Sequence, residues 1–218
     1  MSFRHPKQPV LSRARTPEDK AKVREAFIAA GRKLFAEEGS AGISLRRIAA
    51  QAGYAPGAIY QYFAHQQDLY FQIRAHDMHA ATEQLRQSIA RTRSPANRVR
   101  KLFIGTADYW LAHMEEFLMI FPSPSIRAPV VADATAEPFG RSQVVQESLT
   151  LYYETVGAFF DTLPHAPMPA RLAADTLMAA VHGMIVFPCM TRTMEWSDTL
   201  TMVSQLVNTV VSQWEKTP

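Results

Sequence analysis

The chain has 218 residues, 47% of them hydrophobic, with 23 Lys/Arg against 20 Asp/Glu and a formal net charge of +3, enough for one small unit and one larger helical unit, each with a core. One cysteine, Cys189, excludes an intramolecular disulfide; set in an apolar run, it is expected as a buried packing residue in a reducing cytoplasm. The chain opens without an apolar signal core, and its longest apolar stretches are interrupted by His182, Gly183 and Pro188, which predicts a soluble cytoplasmic protein with no membrane partner.

Residues 1–16 carry Arg4, Lys7, Arg13 and Arg15 among prolines and small residues and are expected as a flexible basic arm, because such a segment buries too little apolar surface to fold. As a solubilising tail or as an arm reaching a nucleic-acid groove, the same letters read equally well. A first helix, from about Thr16 to Glu38, places Val23, Phe27, Ala30 and Leu34 on one stripe and stops at Gly39. From Leu45 the chain then reads LRRIAAQAGYAPGAIYQYF. Ser44 is positioned to cap a short helix with the stripe Leu45, Ile48, Ala49 and Ala52. Gly53 permits the left-handed backbone of a tight turn, and Pro56 suits the first turn of a second helix from about Pro56 to Phe63. In that helix Ile59 and Phe63 face inward, leaving Gly57, Ala58, Gln61 and Tyr62 free to enter a groove. This spacing is that of a helix-turn-helix, whose natural partner is double-stranded DNA. A fourth helix is expected from near Gln66 to about Arg91, linking two domains through Leu69, Ile73 and Leu85.

Charge follows the same division. Residues 1–74 hold twelve Lys/Arg against six Asp/Glu, a net of +6, whereas residues 75–218 hold eleven against fourteen, a net of −3. Cations beside the helix-turn-helix displace condensed counterions and supply sequence-independent affinity for a duplex.

The ordered series AFIAAGRKLFAEEG, ISLRRIAAQAG, YAPGAIYQYF and QQDLY, from roughly Val23 to Tyr70, resembles the TetR-type (tetracycline-repressor-like) bacterial transcription regulators. Ala55 stands where that family often has Ser or Thr, Ala58 where it often has Thr, and Gln66 where Lys is usual, and these changes remove phosphate contacts. The resemblance implies an all-α fold of about nine helices: a helix-turn-helix domain over 17–66 and a ligand-binding and dimerisation domain over 67–218. It implies a homodimer whose two recognition helices enter successive major grooves of a near-palindromic operator. In that arrangement Ser44, Tyr60 and Tyr62 contact phosphates, Gly57, Ala58 and Gln61 meet base edges, Arg46 and Arg47 supply charge, and Tyr54 belongs to the same surface.

Hydrophobic residues recur every three or four positions through the rest of the chain. A fifth helix carries Val99, Phe103, Thr106, Trp110, His113 and Phe117 and ends near Phe121, with a short sixth near Glu115–Phe121; Pro122 and Pro124 open a loop. A seventh carries Val145, Leu149, Tyr152, Val156, Phe159 and Leu163, and the last two span about 170–190 and 197–216. Leu200, Val203, Val207, Val210 and Trp214 form an apolar stripe; the resemblance implies that it is a dimer interface, while periodicity shows only that the face is apolar and an intramolecular core fits it too.

Thr106, Tyr109, Trp110, His113, Phe117, Tyr152, Phe159 and His182 are candidates to line a pocket for an apolar or aromatic effector, because large side chains with few charges enclose apolar space while a few polar groups orient a ligand. His182-Gly183 resembles the His-Gly pair of one subgroup of the family. His76 and His79 share a helix face without a third ligand, so no metal is expected, and no cofactor. No phosphate-cradling glycine loop, serine elbow or paired-histidine protease helix is found, which argues against an enzyme. The expected function is a ligand-released transcriptional repressor; a helical small-molecule carrier without DNA affinity is the alternative.

Overall fold

A computed structural model describes residues 16–38, 43–121 and 138–216, so the arm, Gly39 and the Pro122–Pro124 loop lie outside the described residues. All regular structure among the described residues is helical: eight α-helices and two 3₁₀ turns. The chain divides into two compact units, Met1–His76 and Asp77–Pro218.

In the first unit α1 (Pro17–Glu38) opens on a reciprocal cap. The Asp19 N–H donates to Thr16 Oγ1 at 3.1 Å and the Thr16 N–H to Asp19 Oδ2 at 3.4 Å, which satisfies two amides that lack intrahelical acceptors. Val23, Phe27, Ala30 and Leu34 are buried, as their spacing predicts, joined by Ile28 and Phe35. After α2 (Leu45–Gln51) and a 3₁₀ turn (Ala58–Gln61), α3 (Gln66–Ala90) begins in this unit and continues without a break into the next. Leu69 and Ile73 of α3 are fully buried. They lie against α1 so closely that a Cβ on Gly31 would meet Ile73 Cδ1 at 3.0 Å and Leu69 Cδ2 at 3.3 Å. The first turns of α3 thus complete the first core, which is why the boundary falls at His76 rather than at residue 66.

The expected second α-helix over 56–63 is instead the 3₁₀ turn Ala58–Gln61. Ala58 N–H bonds the Ala55 carbonyl and Tyr62 N–H the Ile59 carbonyl, both at i−3. Pro56 has no N–H to give and Gly57 disfavours an extended α-helical run by about 1 kcal/mol relative to Ala.

The second unit holds the rest of α3, then α4 (Pro95–Ala112), α5 (Met114–Ile120), a 3₁₀ turn (Phe139–Arg141), α6 (Gln143–Phe160), α7 (Ala170–Met190) and α8 (Thr199–Glu215). His113 leaves helical geometry (φ −126°, ψ 50°) and separates α4 from α5. The middle helix is α4, which packs against α6, α7 and α8 and contributes Val99, Leu102, Phe103 and Trp110 to the core.

The dimer stripe expected on α8 requires correction. Val203, Val207 and Trp214 are buried inside the chain's own core, and Leu200 and Val210 pack against that core. Because α4 presents its own apolar face, the stripe needs no second subunit: the Trp214 ring meets Phe160 edge-on at 5.2 Å, and Arg100 of α4 donates to Glu215 Oε2 at 2.6 Å and to Ser212 Oγ at 3.0 Å. Among the described residues, large apolar side chains left exposed include three on α7, Leu172 (54% exposed), Phe187 (52%) and Met190 (58%), with Ala179 and Gly183 between them; Leu118, Met194 and Trp196 are exposed too, and the Phe187 ring meets Trp196 edge-on at 5.3 Å. Gly183 and Pro188 do not interrupt α7; its most apolar 18-residue window has a mean hydropathy of 1.5 with 28% of it buried, a length and composition that helices of globular proteins share with membrane spans. Cys189 is half-buried rather than fully enclosed.

Trp214→Ala should lower the unfolding free energy by about 3–5 kcal/mol, by the same amount at low and high protein concentration, in urea titrations followed by circular dichroism. A loss confined to low concentration would return the stripe to a subunit interface.

Candidate nucleic-acid interface and effector cavity

Ser44 caps α2 with an extended backbone (φ −123°), its Oγ accepting the Arg47 N–H at 3.3 Å. A serine oxygen used this way keeps its own proton free to donate. Gly53 turns the chain at φ 80°, the left-handed region that favours glycine. Amides around the turn are satisfied locally: Gly53 N–H bonds the Ala50 carbonyl at 3.1 Å, and Tyr54 N–H the Ala49 carbonyl at 2.9 Å.

Ile59 and Phe63 are fully buried, as predicted. The ring of Phe27 on α1 receives Tyr54, Tyr62 and Phe63 edge-on, at centroid separations of 5.1, 5.5 and 6.4 Å. Arg24 lies over the Phe63 ring at 5.5 Å. At the end of the segment His65 Nδ1 accepts the Asp68 N–H at 3.1 Å while Asp68 Oδ2 accepts the Ala64 N–H at 3.2 Å, a cap on α3 that sequence reasoning missed although its residue types were in view.

The predicted contact residues separate into two groups. Arg46, Arg47, Gly57, Tyr60 and Gln61 are exposed, and beyond Gly57 there is open space. Tyr54, Ala58 and Tyr62 are half-buried, and the two tyrosines spend their rings on Phe27. These rings are structural whatever their hydroxyls do.

In the second unit a cavity of about 90 Å³ opens among α3, α4, α6 and α7. Of the eight expected lining residues, Trp110, Tyr152 and His182 reach it. Thr106 stands behind Tyr152, bonded to its hydroxyl at 2.9 Å. Phe117 and Phe159 are buried in the packed core; Tyr109 stacks on His113 at 4.4 Å, and His113 sits at the α4–α5 break with Glu116 3.9 Å away. These five are corrected to supporting or core positions. Sequence reasoning missed Met78, Ala81, Thr82 and Leu85 on α3, together with Phe121, Ser148 and Met178. The α3 set recurs at steps of three and four, a signal that was present but was assigned to a connecting helix.

Polar groups of the cavity are tied to the protein. His182 Nδ1–H donates to the Met178 carbonyl at 2.8 Å, which leaves Nε2 with its lone pair. Burial holds the His182 pKa below its usual value, opposed in part by that hydrogen bond, and its ring packs between Phe117 and Phe121 at 5.8 and 4.9 Å. Burial likewise pushes the Tyr152 phenol up to about 12. No group of three or more His, Cys, Asp or Glu side chains placed to hold a metal occurs among the described residues.

Residues 27–73 match the model of a protein family, the bacterial regulatory proteins of the tetR family. Among solved structures the chain is similar to a protein with unknown function from Rhodococcus sp. RHA1 (TM-score 0.70, 19% identity, covering 89% of this chain and 96% of that one). It is also similar to the transcriptional regulator FadR from Bacillus subtilis in complex with stearoyl-CoA (0.69, 15%, 86% and 97%) and to a putative transcriptional regulator from Pseudomonas aeruginosa PAO1 (0.67, 20%, 92% and 92%). At these identities the likeness establishes the fold. No curated protein sequence matches the chain.

His182 sets a pH dependence. Its folded pKa is depressed, so below about 6.5 the unfolded chain takes up a proton that the folded chain resists. The stability it contributes is complete above about pH 6.5 and is lost as pH falls further. Thermal unfolding between pH 7.5 and 5 should show a smaller acid-side loss in His182→Asn than in the wild type; equal losses would remove His182 as the cause.

Proposed function

We propose, from the premise that the chain belongs through residues 27–73 to the tetR family of bacterial regulatory proteins, that it is a homodimeric cytoplasmic repressor released from a near-palindromic operator by a small molecule. The observation that carries this reading is the exposure of Gln61, Gly57, Tyr60, Arg46 and Arg47 on a segment whose inner residues Ile59 and Phe63 are locked into the core. The exposed amide of Gln61 is suited to bidentate pairing with adenine, and Gly57 and Ala58 give the backbone room to approach base edges. Arg46, Arg47, Tyr60 and the free proton of Ser44 hold phosphates.

Recognition of two half-sites about 34–36 Å apart requires two copies. The outward face of α7 supports that assembly: Leu172, Phe187 and Met190 are too large and too exposed to leave in water, and open space beyond Gly183 admits a closely packed helix. A second copy covers this face, with α8 contributing its outer side. The Bacillus subtilis neighbour holds stearoyl-CoA, which supports an effector of some kind for this chain, and the cavity beside His182 is its site. Four cavity residues lie on α3, the helix whose earlier turns belong to the first core. A ligand that prefers one setting of α3 shifts the population away from the DNA-competent dimer by the difference of its affinities for the two.

Gln61→Ala should relax sequence preference more than it lowers nonspecific affinity, whereas Arg47→Ala should weaken binding to every duplex and reduce the salt slope by about one. Gel shifts over a salt series with matched and scrambled sites separate the two, and equal effects would refute the assignment. Phe187→Asp should yield monomers in sedimentation velocity together with loss of operator binding. A dimer unaffected by it would place the interface elsewhere.

A further inference from the structure

We propose that a groove on the larger unit, between α3, α4 and α6, binds a small phosphate monoester whose organic part carries hydroxyl or amine donors. It is separate from the effector cavity: on α6 Leu151 lines the groove, while its neighbour Tyr152 lines the cavity.

Charge in this unit is unevenly spread. From Arg86 to Lys101 the sequence holds six Lys/Arg and no Asp/Glu, although residues 75–218 as a whole hold eleven against fourteen. The basic stretch closes α3, turns and opens α4. At this corner lies the groove, of about 370 Å³, with Arg86, Pro95 and Arg98 on its wall and polar atoms forming a substantial part of the lining. That volume falls within the roughly 300–1,000 Å³ of small-molecule sites.

Arg98 marks the groove as a binding site. Among the described residues its Nε is buried without a hydrogen-bond partner, an uncommon state for a guanidinium nitrogen. The two terminal nitrogens are not shut away with it, so the packed stem holds a fork that keeps donors for a ligand. A planar fork of this kind matches two oxygens of a phosphate. Arg86, exposed on α3 and paired with Glu83, adds a second cation. Arg91 and Arg93, exposed on the connection ahead of Pro95, add to the positive field. A phosphate monoester, at about −1.5 to −2 near pH 7, gains more from that field than a carboxylate does.

Glu154 sets the rest of the ligand. It is exposed on the α6 side of the same groove and, among the described residues, forms no ion pair with Arg98. A carboxylate only accepts, so the body of the ligand beside it must bring O–H or N–H groups. A second anionic group there would be repelled.

Calorimetric titration of the full chain at pH 7.5, in a phosphate-free buffer, with glycerol 3-phosphate, methyl phosphate, inorganic phosphate and glycerol tests the site. Glycerol 3-phosphate should saturate severalfold more tightly than methyl phosphate or inorganic phosphate, and glycerol should not bind. Arg98→Met should weaken the phosphates about tenfold. Because Arg98 is partly buried, Arg86→Met at an exposed position is the companion variant, expected to weaken them severalfold with an unchanged circular dichroism spectrum. Glu154→Ala should bring glycerol 3-phosphate and methyl phosphate to nearly equal affinity. The proposal is overturned by an absence of saturable glycerol 3-phosphate binding, by inorganic phosphate binding as tightly, by binding that either arginine change leaves intact, or by a preference that survives Glu154→Ala.

Discussion

Within a dozen residues the chain places Gly53, Pro56 and Gly57, each a poor helix former, on the segment that carries the exposed Gln61. Backbone propensity alone would leave such a segment without fixed structure. Its order comes from Phe27, a fully buried ring one helix away that takes the edges of Tyr54, Tyr62 and Phe63. Aromatic pairs of this geometry contribute about 0.5–1.5 kcal/mol each beyond the area they bury. Tyr60 and Gln61 project outward because Ile59 and Phe63, on either side in sequence, are held inward. The exposed face formed by Tyr60 and Gln61 is in this sense a by-product of one aromatic joint.

The amino-terminal unit was legible because its determinants are local. Ser44 and Gly53 each act within four residues, and their effects, a cap and a left-handed turn, appear where the letters place them. What the letters could not settle was i−3 against i−4 bonding after Pro56, since both keep Ile59 inward. The carboxy-terminal helices were harder for a different reason. Periodicity tells which face of a helix is apolar but not what covers it, and α8 finds its cover in α4 of the same chain. On α7 nearly every position is apolar, so periodicity distinguishes no face at all; only the three-dimensional arrangement identifies Leu172, Phe187 and Met190 as the uncovered side.

The cavity shows the same limit in another form. Aromatic richness marks packed core and ligand space alike, and Phe117 and Phe159 proved to fill volume while Trp110 and Tyr152 enclose it. Which carbonyl each hydroxyl reaches was hidden altogether: Leu102 for Thr106, Met78 for Thr82.

Energetics bound the proposed release from DNA. A ligand of about seven heavy atoms supplies at most about 10 kcal/mol, even at the ceiling for very small ligands. Driving a two-state equilibrium from mostly one form to mostly the other takes about 5.5 kcal/mol of differential affinity. More than half of everything such an effector can deliver must therefore go into discriminating conformers. On the proposed function that is feasible only where the DNA grip is light, because affinity for the operator would add to what the ligand must overcome. Ala55, Ala58 and Gln66 would lighten it, because they stand where the family that the segment resembles often carries Ser or Thr, Thr and Lys, residues able to hold phosphates. On that proposal a cavity this small and a surface this sparing in phosphate ligands suit each other, and enlarging one without the other would leave the proposed switch unable to turn.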